Sequence, residues 1–163
     1  MNAAHLHIIL VHFPVIMIPL GAILLALGIW KSNLTLRNTA YCFFIVGAAI
    51  GGAAFLLGEG AEEIVEHLAG AVESAIEPHE EAAEFALWFT VALGIASLSA
   101  LAAARFSPSL TPRAQVPILV LALVTSGMLG YTAQLGGMIR HPEAFDQSIV
   151  SGERGEGHED GDD

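Results

Sequence analysis

Four uncharged apolar runs constrain this chain more than any other feature: Ile8 to Trp30, Thr39 to Gly58, Phe85 to Ala104 and Val116 to Ile139. Each reaches the roughly 20 residues that a helix needs to cross about 30 Å of hydrocarbon at 1.5 Å per residue. Runs this long lack the alternation of transmembrane strands, which excludes a barrel. The chain is 54% hydrophobic with a mean hydropathy of +0.62, and it carries a formal net charge of -11. Its charges stand apart from the apolar runs, a partition that fits neither a soluble globule nor a disordered acidic chain. The sequence predicts an all-α, integral membrane, antiparallel four-helix bundle over residues 1–142. Helices are expected over about 6–30, 38–68, 79–105 and 114–140, with the second and third extended beyond the bilayer. Residues 143–163 have no apolar face to bury and are expected to form an acidic disordered tail.

No Lys or Arg precedes the first run, and the run is longer than the core of a cleavable signal, so it is expected to be retained as a span. Cys42 is the only cysteine, which excludes an intrachain disulfide and the two-cysteine attachment of a c-type haem.

An antiparallel bundle brings the start of span one, the connector between spans two and three, and the C-terminus to one side. All seven histidines fall there: His5, His7, His12, His67, His79, His141 and His158. So do all seventeen acids, whereas the opposite side carries only Lys31, Arg37, Arg105 and Arg113. Lys and Arg in short loops mark the cytoplasm, which places both termini outside it. Trp30 with Lys31 forms an interfacial anchor at the cytoplasmic end.

Depth follows from about 1.5 Å per residue: His12 lies about 6 Å inside the outer boundary, Glu59 and Glu84 at it, His141 just outside, and His79 about 9 Å beyond. An ionisable residue inside hydrocarbon is a functional candidate by default, and His12 is that residue. His5 shares its face, while His7 points the other way and is read, with His67 and His158, as facing water. Pro14 and Pro19 each remove a helix hydrogen bond, which reads first as an ordinary membrane-helix kink and, in a sharper alternative, as Pro14 aiming His12 inward. Past Gly58, Glu59, Glu63 and His67 fall on one helical face. Gly47, Gly51, Ala54 and Gly58 form a small-residue stripe suited to close helix packing. Ser126, Gly130 and Gln134 form a polar and small line expected to face the bundle.

Such a layer supports three chemistries. Haem b takes axial imidazoles from two helices. A copper, zinc or iron ion would use His12, His79, His141 and His5 with Glu59 and Glu63, although the Glu-x-x-His signature of di-iron bundles is absent. Clustered histidines also suit a proton relay or a pH-responsive lid. No nucleophile, base and oxyanion donor come together, so a non-catalytic subunit is expected.

With His-Phe-Pro at His12 to Pro14, a Gly/Ala-rich second span, His79 opening the third helix and Gly-Gly followed by Arg-His at Gly136 to His141, the chain resembles a bacterial membrane family known only as domain of unknown function 2231. The resemblance covers the four spans and not the tail. That family looks related to four-helix b-type cytochromes. The resemblance implies a bacterial cytoplasmic membrane, one haem b and electron exchange with a quinol or another redox subunit. It implies His12 and His79 as axial ligands, with His141 as alternate or supporting partner. Pro142 stands where the family tends to place Gly, and the stretch from Glu59 to Glu84 is longer and more acidic than is usual there. The acidic outer face would attract a cationic partner such as a basic cytochrome. The alternative is a non-redox metal-binding or structural subunit of a larger complex, in contact with membrane lipid and with no nucleic acid.

Overall fold

The computed structural model describes residues 2–65, 75–106 and 111–141. Five helices account for nearly all of them: α1 (Ala3–Trp30), α2 (Leu34–Leu56), α3 (Gly58–Val65), α4 (Ile76–Phe106) and α5 (Thr111–Arg140). Among the described residues there is no strand. Four of the helices, all but α3, are long and apolar enough to cross a membrane, with mean hydropathies of 1.8 to 2.5 over their best windows. This is the architecture of a multi-pass membrane protein.

Helix starts are set by side chains that satisfy the free amides of the first turn. The Asn2 side chain accepts from the His5 backbone N–H at 2.9 Å, and Asn33 does the same for Leu36 at 3.0 Å. The three-residue turn between α1 and α2 requires Ser32 at a φ of 51°, in the left-handed region. Pro78 lies in the first turn of α4, where a missing N–H costs no hydrogen bond. The helix therefore begins at Ile76, ahead of His79.

One departure from the sequence reading concerns the expected continuous helix over 38–68. It is broken at Leu57, whose backbone N–H turns back toward Ala54 and Phe55. Gly58 and Gly60 flank the new start and lower the cost of leaving the helical path. The segment that follows, α3, packs chiefly on α1. The predicted i, i+4, i+8 face of Glu59, Glu63 and His67 begins on this separate helix, and the side chains of Glu59 and Glu63, with all of His67, lie outside the described residues. Residues 143–163, expected to form the acidic tail and including His158, also lie outside them.

The spans close a ring in which α1 packs on α2, α2 on α4, α4 on α5 and α5 on α1. Ile18, Leu25, Phe44 and Leu93 are fully buried at its centre, with Ala22, Ala40, Ala100 and Ala122 among the residues around them. Large apolar residues such as Ile16, Ile95 and Leu123 face outward, as a lipid-exposed surface requires. The small-residue stripe of α2 is a packing surface: a Cβ built at Gly47 would meet Ile18 at 3.2 Å, and one at Gly51 would meet Thr90 and Pro14. The polar line of α5 behaves differently from its expectation. Gly130 and Gln134 are exposed, and the Ser126 hydroxyl is spent on its own helix at the Ala122 carbonyl. Serine's short side chain reaches the carbonyl four residues back more readily than a neighbouring helix.

Thr90 is buried at 2% exposure, and its hydroxyl has no hydrogen-bond partner among the described residues. An orphaned hydroxyl in an apolar interior is costly, so Thr90→Val is expected to stabilise the fold by about 1 kcal/mol. Thermal unfolding in detergent checks this, and a lowered midpoint would contradict it.

Candidate functional site

The inward-facing imidazoles of the described structure are His7 and His79. Both are half-buried, whereas His5, His12 and His141 are exposed. The correction has a geometric cause. Seven residues bring an α-helix nearly back to the same face, and His7 continues the buried positions Pro14, Gly21 and Gly28 of α1. His12 falls with His5 on the outward stripe, and its Nδ1–H donates to the Ile8 carbonyl of its own helix. Pro14 is buried against Gly51, and it does not turn His12 inward.

His7 Nδ1–H donates to the Ala54 carbonyl at 2.9 Å, in the last turn of α2 beside the Leu57 break. His79 Nδ1–H donates to the Thr132 carbonyl of α5 at 3.0 Å. A carbonyl only accepts, so Nδ1 holds the proton in both rings and Nε2 keeps the lone pair. The two rings are close enough to interact electrostatically. Four spans are engaged, α1 and α4 contributing the imidazoles and α2 and α5 the carbonyls that orient them.

Two glycines make room for the rings. A Cβ at Gly136 would lie 3.0 Å from His79 Cε1 and 3.3 Å from Nδ1, so only glycine leaves the ring undisturbed. Gly58 stands beside His7 with its Cβ position 3.8 Å from Cε1. The tethered imidazole, with Nδ1–H on a carbonyl and Nε2 basic, is the arrangement that raises ligand basicity in metal and haem sites. It equally serves as a hydrogen-bonded staple between helices. His141 follows the last turn of α5, its backbone N–H donating to Gly137 at 2.9 Å, and the His5 backbone is part of the α1 cap. Among the described residues, no three of His, Cys, Asp and Glu converge as a metal-binding group.

No family model, curated protein or solved structure matches this chain.

Outside the spans, α3 and α4 meet through carboxyls. A hydrogen bond with Glu80, then slight burial and the charge of Glu80, holds the Glu62 carboxyl above the ordinary carboxylate range. A carboxyl whose folded pKa is raised stabilises the protonated form, so its contribution is present in acid and is lost as pH rises through that pKa. The α3–α4 contact is expected to loosen with rising pH, and Glu62→Gln, which always carries an N–H, should remove that dependence. Spin-label distances between α3 and α4 measured across the pH range check this. An unchanged pH response in Glu62→Gln would contradict it.

Proposed function

We propose that this chain is a membrane electron-transfer subunit in which His7 and His79 would hold one haem b. The observation that carries the reading is the pair of half-buried rings on different spans, each fixed through Nδ1 and left with a basic Nε2. Two imidazoles are the axial set of a b-type haem, whereas zinc and copper sites draw three or four ligands from the protein. The bound haem would supply one-electron chemistry at a potential tuned by its ligands and burial. The protein's part is orientation: Ala54 and Thr132 hold the rings, and Gly58 and Gly136 keep side chains away from them.

The bundle is antiparallel in this reading. Contacts between α1 and α2 run from Gly28 beside Arg37, through Gly21 beside Phe44, to His7 beside Ala54. The histidine end is extracytoplasmic, as are both termini, because Lys31 and Arg37 share the other end with connectors that contain no acid. Resemblance to the domain of unknown function 2231 family supports a bacterial cytoplasmic membrane. Glu77, Glu80, Glu81 and Glu84 are exposed on the first turns of α4 next to His79, a surface that favours a cationic redox partner.

A reduced-minus-oxidised spectrum of the purified protein tests the proposal. A b-type band is expected at one haem per chain. Stoichiometric copper or zinc without that band would replace the reading with the metal-binding alternative.

A further inference from the structure

We propose that the Lys/Arg end of the α1–α2 pair binds a phosphate group, presented either by an anionic phospholipid or by a free phosphate compound. The inference is independent of the histidine site.

Arg37 lies in the first turn of α2, its stem packed where a Cβ at Gly28 of α1 would come within 2.7 Å of Arg37 Cγ. Its Nε is buried and has no acceptor. One turn further on, Tyr41 is 2% exposed, and its hydroxyl is also buried without a partner. The two are close enough for the guanidinium charge to act on the phenol. Two donors at i and i+4 on one helix face are thus left unsatisfied where each is expensive to leave so.

Among the described residues no acid pairs with Arg37. The sequence contains no acid before Glu59 and none between Phe85 and Pro142. Glu59 is 22 residues further along, at the other end of α2 and roughly 33 Å away at helical rise. The electrostatics at this end are uniformly positive. The N-terminus of α2 carries the positive pole of its dipole with no acid in its first turn, and Lys31 sits over the exposed Trp30 ring at 5.9 Å. Arg37 Nε and the Tyr41 hydroxyl are closed to solvent as the helices pack, so an outward shift of the Arg37 stem is part of the proposal: a phosphate oxygen would then accept from both, and its charge would answer the guanidinium, the ammonium and the helix terminus together. Trp30 at the same level, 78% exposed, fits a site at the headgroup layer.

The test uses the full-length purified protein, titrated separately with phosphatidylglycerol, phosphatidylcholine and inorganic phosphate. Native mass spectrometry reads bound lipid, and thermal unfolding reads the effect of phosphate. Two variants keep most of the packing: Arg37→Gln removes the charge and the Nε donor while leaving a neutral amide, and Tyr41→Phe removes the hydroxyl. Binding of at least one probe is expected to weaken about tenfold in Arg37→Gln and about fivefold in Tyr41→Phe. If the sensitive probe is phosphatidylglycerol, the source is an anionic lipid headgroup, and sensitivity of phosphatidylcholine alone overturns the proposal. If it is inorganic phosphate alone, the source is a soluble phosphate compound. Failure of all three probes to bind, or binding that either variant leaves unchanged, overturns the proposal.

Discussion

Gly94→Ala is expected to destabilise the bundle by about 1–3 kcal/mol, the cost of forcing an extra methyl into a packed interior. The added Cβ would lie 2.6 Å from the Cβ of Ala48, and neither atom belongs to a side chain that can rotate away. The only relief is a separation of α2 from α4, which also strains the packing of Phe44 and Leu93 in the central core. Gly127 on α5 provides the control, since nothing lies within 4 Å of its Cβ position. Alanine there should be neutral or stabilising by up to about 1 kcal/mol, because glycine is the poorer helix former. Detergent-driven unfolding of the two variants measures the contrast. Equal effects would show that α2 and α4 do not approach as closely as described.

His79→Ala is expected to have two separable consequences. It removes the link between α4 and the Thr132 carbonyl of α5, which costs about 1–2 kcal/mol for an interhelical hydrogen bond in a membrane bundle. That loss is read in protein prepared without haem. It also removes one proposed ligand, so one-to-one haem binding should disappear altogether. Gly136→Val tests the same position from the opposite side, because its branched side chain would occupy the space of the His79 ring while leaving the imidazole in the sequence. Haem binding should fall in this variant too. Unimpaired binding in both would remove His79 from the site.

Span number was legible in the sequence because it rests on composition over about 20 residues, which tertiary contacts do not alter. The break at Leu57 was obscured by the helical spacing of the residues that follow it; of the two glycines at the joint, Gly58 was read as the end of a packing stripe and Gly60 was not weighed. The inward histidine was misassigned for a related reason. Depth favoured His12, but orientation is set by which face of α1 can approach α2. That face is spelled out by Pro14, Gly21 and Gly28 at seven-residue intervals, and extending it one step back reaches His7. His79 was legible from its place at the start of α4. Its tether to Thr132 was not, since a backbone acceptor leaves no mark in the side-chain sequence. The unsatisfied pair at Arg37 and Tyr41 was equally hidden, because burial of single atoms emerges only when α1 and α2 are packed.

The reduced-minus-oxidised spectrum of three single alanine variants, each titrated with haem, tests the account most directly. His7→Ala and His79→Ala are expected to lose the b-type band, and His12→Ala is expected to keep it. A band that vanishes in His12→Ala and persists in His7→Ala would contradict the assignment of the inward pair.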